Sequence, residues 1–304
     1  MKTFWMTGSL VLLLIGAVLP GMTQAIPQHY QAVLTSLGKQ GDYADNVLKI
    51  NLPRNDINVT VDNVAVPTAF GFGGWVAMTK DDQGMEVMMG DLVLLQEEVN
   101  PVITSLQEHG LEVTALHNHF FWDTPRIFYL HVHGHGKALD LAHAVKPAID
   151  LMGNVPPYPG GVTVPAGTKL PAGPLDTAAL VRIIGHTGQQ SGEVYKVTIG
   201  RNDIKLMEHG APITSRMGLN TWAAFIGSND DAMIAGDVAM LESEVNPVVA
   251  ALRQHGLQVV AIHNHMIGDR PVIIFLHYQG RGPATQLATG FKAAINALGK
   301  HPAR

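Results

Sequence analysis

Histidine is the residue type in this chain whose spacing could do chemistry. Two stretches carry it at alternating positions: "ALHNHFFWDTPRIFYLHVHGHG", Ala115 to Gly136, and "AIHNHMIGDRPVIIFLHYQGRG", Ala261 to Gly282. Side chains two apart on a strand share a face, so His117 and His119 point one way and Asn118 the other. His131, His133 and His135 share a face by the same rule. The connection "FFWDTPR" is short enough to make the two runs neighbouring antiparallel strands. His117, His119 and His131 then face one another, and the second stretch offers His263, His265 and His277. Neutral imidazole is the commonest protein metal ligand, and three imidazoles with an open fourth position make a catalytic zinc arrangement. Zinc is the first candidate, and copper, nickel and iron also accept imidazole. The same pattern fits histidines hydrogen-bonded within a sheet, and the sequence leaves both uses open. His133 and His135 give way to Gln279 and Arg281 in the second stretch, which makes them peripheral to whatever the repeated unit does.

Carboxylates near these strands are candidates to handle protons. Glu98 and Glu244 stand at the start of the helix before each histidine strand, where they could act as catalytic bases for a metal-bound water. A helix N-terminus also favours negative charge on its own account. Asp91 and Asp237 close the strand before that helix. Asp123 and Asp269 lie between the histidine strands and read as turn formers before ligands. In Arg54-Asn55-Asp56 and Arg201-Asn202-Asp203 the bland reading is preferred to an anion site: a turn, with the arginine paired to a nearby acid. Trp75 and Trp222 read as core, as do Met85, Met88 and Met89. His109 and His255 sit at helix C-termini, where a cation is favoured.

Several other chemistries find no support. There is no helical His-Glu-x-x-His, no Gly-x-Ser-x-Gly elbow and no Gly-rich phosphate loop. "HNH" here lacks the basic surroundings of a nuclease. With no cysteine, thiolate chemistry, disulfides and Cys-based metal sites are all excluded. The net charge is −5 and no basic block stands out, so nucleic acid is not an expected partner; an unidentified small molecule is.

The elements that must position these residues are written twice. "RNDI" at Arg54 recurs at Arg201, Trp75 at Trp222, Gly90-Asp91 at Gly236-Asp237, and "EVNPV" at Glu98 recurs at Glu244. "HGL", "HNH" and "LH" follow in the same order. The period of about 147 residues is domain-sized, not that of a solenoid. Each copy reads as a short opening helix, then a β-branched strand ("NVLKINLPR", "EVYKVTIGR") and a strand through the tryptophan. A returning strand into Gly-Asp comes next, then a helix ending at His-Gly, the two histidine strands and a closing helix. Asn100 and Asn246 are expected to cap the middle helix, with Pro101 and Pro247 in its first turn. Grouped strands with helices to one side argue an α+β fold: two tandem homologous repeats, each a mainly antiparallel sheet with helices packed on it, related by a pseudo-two-fold axis.

The boundaries follow. Residues 1–25 read as a signal peptide, with Lys2, the apolar run Leu10–Leu19 and small residues before Ala25. Repeat 1 takes 26–152, a Pro/Gly-rich linker 153–174 and repeat 2 175–304. No other segment is long and apolar enough to span a membrane, so an exported, periplasmic or extracellular protein is expected.

On these residues ("RNDI", "GD" before "EVNPV", "HGL", "HNH" and "YLH" or "FLH") the chain resembles the LppY/LpqO family of bacterial exported proteins. That domain has no established function, and the resemblance covers both repeats. Several of its namesakes are lipoproteins, but this chain has no lipobox cysteine, so an anchor is not implied. The resemblance brings no catalytic residues with it. The sequence therefore leads to an exported protein with a histidine-rich metal site. A metal-dependent hydrolase is the sharper version. The alternative is a non-enzymatic small-ligand-binding or structural envelope protein, and the sequence does not decide whether the chain is an enzyme.

Overall fold

A computed structural model describes residues 24–157 and 164–299. The expected signal peptide lies almost wholly outside the described residues. Repeat 1 runs α1 (Gln28–Leu37), β1 (Asp42–Ala44), β2 (Val47–Pro53), β3 (Val59–Val61), β4 (Val64–Val66), β5 (Gly73–Lys80), β6 (Glu86–Leu95), α2 (Val99–Glu108), β7 (Glu112–His117), β8 (Asp123–Thr124), β9 (Ile127–Gly136) and α3 (Ala138–Leu151). Repeat 2 runs α4 (Thr177–Ile184), β10 (Gln189–Ser191), β11 (Val194–Gly200), β12 (Leu206–Glu208), β13 (Ala211–Ile213), β14 (Asn220–Gly227), β15 (Ala232–Leu241), α5 (Val245–Gln254), β16 (Gln258–Asn264), β17 (Ile273–Gly282) and α6 (Ala284–Ile295).

Each repeat builds a six-stranded antiparallel sheet, in the order β1-β2-β5-β6-β9-β7 and β10-β11-β14-β15-β17-β16. The orders are the same position for position, as a duplicated fold requires. Alternation along the strands then gives each sheet two different faces. On the outer face Leu48, Ile50, Val76, Leu92 and Leu130 pack under α1, α2 and α3. Their counterparts in repeat 2 pack under α4, α5 and α6. The inner faces meet each other. One apolar cluster there joins Phe70, Phe72 and Phe120 to Ala224, Ile226 and Met233. Another joins Ala77, Val87 and Met89 to Leu206, Met217 and Phe275. The result is four layers, helix–sheet–sheet–helix, with apolar clusters between the sheets and the polar residues of both repeats in the same space.

Two local expectations shift. The middle helices start at Val99 and Val245 after a 3₁₀ turn, so Glu98 and Glu244, not Asn100 and Asn246, occupy the N-cap positions. Pro101 and Pro247 still fall in the first turn, where a missing N–H costs nothing. The Pro/Gly-rich connection packs along the surface: Thr168 exchanges backbone hydrogen bonds with Asn63 and Ala65, and Asn229 N–H donates to Pro174 O.

Candidate metal centre and adjoining cavity

The histidine strands pair as the spacing predicts. His117 stands opposite Tyr129, and Ala115 opposite His131, after a register shift between Val113 and Ala115. Repeat 2 places His263 opposite Phe275 and Ala261 opposite His277. β7 ends at His117 and β16 at Asn264, so His119 and His265 lie just beyond their strands.

Because the inner faces meet, the two histidine sets merge. His117 and His263 stack with ring centroids 3.6 Å apart. His119 stacks on His277 at 3.6 Å and His131 on His265 at 3.7 Å. Exchanging the repeats turns the first pair into itself and the other two into each other, so the pseudo-two-fold axis passes between His117 and His263. Tyr129 closes the stack behind His119, and Phe275 behind His265. Two groups have ligand nitrogens all within 4.8 Å of one another: His117, His263 and His277, and His131, His263 and His265. Each draws on both repeats, where the sequence pointed to three histidines of one. His119 Nε2 also lies 3.1 Å from His117 Nε2.

Burial holds these imidazoles neutral. His263 is lowered to about 3 by burial. His117, His119, His131, His265 and His277 are all displaced downward, by burial first and by one another's charge second. Neutral imidazole is the ligating form. Nitrogens of His117, His119, His131, His263 and His277 are buried without a hydrogen-bond partner. A buried polar atom without a partner costs about 1–3 kcal/mol, which bound metal would relieve.

The predicted acids divide. Glu98 Oε2 receives Arg54 Nη1 at 2.6 Å and the Leu95 N–H, while Oε1 receives Arg54 Nη2 and the Gly153 N–H. Glu244 repeats this with Arg201, Leu241 and Gly299. Read from the sequence as proton handlers, both glutamates thus have their oxygens filled by a buried staple that ties the closing helix to the sheet. Asp56 and Asp203 complete it from the other side of each guanidinium. Burial works against the Arg54 charge, but the hydrogen bonds to Asp56 and Glu98 overcome it and raise its pKa. Asp123 and Asp269 accept the Ile127 and Ile273 N–H groups and so serve as turn formers.

Asp91 and Asp237 do reach the centre. Cross-strand partners share a face, and the register runs Trp75–Asp91–His131 in one sheet and Trp222–Asp237–His277 in the other. Burial raises Asp91 to about 7 and displaces Asp237 upward as well. One oxygen of each is buried and unpartnered. They line a cavity of about 490 Å³ together with Lys49, Lys196, Trp75 and Trp222, and His119, His265 and His277 form part of its wall. Trp75 and Trp222, read as core, are half-buried in that wall. Lys49 Nζ lies 4.4 Å from the Trp75 ring centroid, and Lys196 Nζ 3.9 Å from that of Trp222. Sequence reasoning passed over the two lysines. Their signal was a charged residue at the same inward position of "NVLKINLPR" and "EVYKVTIGR".

His133 and His135, present only in repeat 1, take carboxylate partners: Glu208 at 2.8 Å and Asp81 at 2.7 Å. The first of these ties repeat 1 to repeat 2.

Residues 31–151 and 178–297 each match one family, described as Domain of Unknown Function (DUF1259). The chain belongs to that family. It carries the domain twice in tandem, and the histidine centre lies between the two domains. No curated protein matches it. Among solved structures, EtuB from Clostridium kluyveri aligns with 9% identity and a TM-score of 0.19, over 78% of this chain and 91% of that one. A trimeric bacterial microcompartment shell protein, PduB, aligns with 9% identity and a TM-score of 0.19, over 82% and 87%. Overlaps this loose bear on neither fold nor function. Among the described residues, no helix is long and apolar enough to cross a membrane.

Proposed function

We propose that the protein binds a divalent transition metal, zinc first, between its two DUF1259 domains. The observation that carries this is the convergence of five imidazoles from both domains into two candidate ligand groups, kept neutral by burial, with ring nitrogens of four of them buried and without a hydrogen-bond partner. Hydrogen-bonded sheet histidines would instead show each ring nitrogen capped. In a hydrolytic version a metal held by these histidines would supply an activated water, and Asp91 or Asp237, beside His131 and His277 in register, would be placed to take up a proton, because Glu98 and Glu244 are committed to arginines. The N-terminal pattern and the resemblance to LppY/LpqO proteins support an exported location, and N-terminal sequencing of the mature protein tests it by a start at Ile26.

Elemental analysis of protein purified without an affinity tag tests the metal. At least one equivalent of a transition metal is expected in the wild type and a clear loss in His263→Ala, whose ring belongs to both candidate groups. Metal-free wild type whose zinc titration is matched by His263→Ala would end the reading.

A further inference from the structure

The cavity beside the histidines holds charge that the metal reading does not use. Lys49 and Lys196 come from equivalent positions of β2 and β11, one in each sheet, and both enter the same space. Neither ammonium, among the described residues, has a carboxylate oxygen within 4.0 Å. Lys49 donates one long hydrogen bond, 3.4 Å, to Arg216 O. An ammonium has three donors, so most of that capacity faces the cavity. Both lysines are lowered to about 8, by burial first, and Lys49 also by the charge of Lys196. Two cations from opposite sheets thus line one cavity.

The surroundings hold the pair in place. Each ammonium rests on a tryptophan ring, which restrains it in a half-buried position. Trp75 in turn packs on Gly218 of the other repeat, where a Cβ would come within 3.2 Å of the ring. Asp91 and Asp237 each keep a buried oxygen free to accept a hydrogen bond, and the amides of Asn51 and Asn220 line the same space. The volume of about 490 Å³ falls within the roughly 300–1,000 Å³ usual for small-molecule sites. Asp91 acts on both lysines and Asp237 on Lys196 through their charges, yet no carboxylate oxygen comes within 4.0 Å of either ammonium and each aspartate keeps one buried oxygen unpartnered. What completes it is a molecule with an anionic group for the lysines and hydroxyl donors for the aspartates.

We infer that this cavity binds a small hydroxylated anion, its carboxylate or phosphate group held between Lys49 and Lys196 and its hydroxyl groups by Asp91, Asp237 and the neighbouring amides. The lysines belong to neither histidine group, so binding of the anionic group does not depend on metal.

Calorimetric titration of the full chain, stripped with EDTA and dialysed, tests this with inorganic phosphate, D-glucuronate and neutral D-glucose. Saturable binding of at least one of the two anions is expected, and none of glucose. Lys49→Met and Lys196→Met should each weaken it at least tenfold. Absence of saturable binding by both anions, or wild-type affinity in both variants, overturns the inference. Should a variant fail to fold, reductive methylation of the wild type read by mass spectrometry decides: the anions must slow labelling at Lys49 and Lys196 but not at exposed Lys39, and equal labelling overturns the inference. Metal content of the unstripped samples separates the two readings. Anion binding without metal sinks only the metal centre, and metal without anion binding sinks only this site.

Discussion

Acid should unfold the metal-free protein, and the histidine cluster sets how steeply. All six imidazoles are displaced below the ordinary value of 6.5, His263 to about 3. Between those limits the unfolded chain binds protons that the folded chain refuses, so stability falls as pH falls. It is fully present above about 6.5 and drains away below it. At about pH 5.5 each such histidine favours unfolding by about 1.4 kcal/mol, and six by about 8 kcal/mol. Asp91 acts in the opposite sense. Its folded value of about 7 lies above 3.8, so acidification protonates the folded form first and returns about 2 kcal/mol by pH 5.5. Asp237 adds in the same direction. Lys49 and Lys196, at about 8, are already mostly charged at neutral pH in both states and contribute little over this window. A net loss of several kcal/mol remains, against a total stability of about 5–15 kcal/mol. At roughly 2–4 °C per kcal/mol, the melting temperature should fall by on the order of 10 °C. Scanning calorimetry of EDTA-treated protein at about pH 7.5, 6.5 and 5.5 measures this, and zinc added at pH 7.5 should raise the melting temperature. A His117→Gln, His263→Gln double variant should lose about a third of the pH dependence, having two of six titrating groups fewer. A melting temperature that stays flat from pH 7.5 to 5.5, or falls equally in the double variant, refutes the reasoning.

Other substitutions separate scaffold from centre. Glu98→Ala strands the buried Arg54 and should cost about 3–5 kcal/mol in urea unfolding, with metal content per folded chain unchanged. Gly236→Ala sets a Cβ against the Tyr278 ring and the Trp222 carbonyl. Overpacking of that kind costs about 1–3 kcal/mol, and a fall in Tm should report it. His133→Ala removes the imidazole that bridges to Glu208 of the other repeat, and should lower Tm while elemental analysis finds metal retained.

The repeat, the succession of elements along each copy and the histidine strands were legible because each is local: matched tripeptides, alternation, a short connection. The order of the strands in each sheet was not, because β6 pairs with β9 across α2 and β7. The pairing of β7 with β9 follows from "FFWDTPR" alone. How the repeats meet is not written in any one segment. Three histidines of one repeat share a face whether that face closes on itself or on its twin, and only packing of the inner faces decides that His131 joins His265. Glu98 misled for a related reason. A carboxylate at a helix start looks available until Arg54, 44 residues earlier, is seen to fill it. Lys49 was hidden by ordinary strand patterning, in which a lone lysine between Leu48 and Ile50 reads as solvent-facing.

The stack of His117 on His263 places the centre on the axis that exchanges the two halves. A position on such an axis is where two identical chains meet when they pair with themselves. A single-domain relative carrying "RNDI", "GD", "EVNPV" and "HNH" once would hold only part of each three-histidine ligand group, on an open face. It would complete the centre only by homodimerising. Fusion of two copies into one chain makes that encounter independent of concentration and frees the halves to diverge. The exchange of His133 and His135 for Gln279 and Arg281 is the kind of asymmetry that a dimer of identical chains could not acquire.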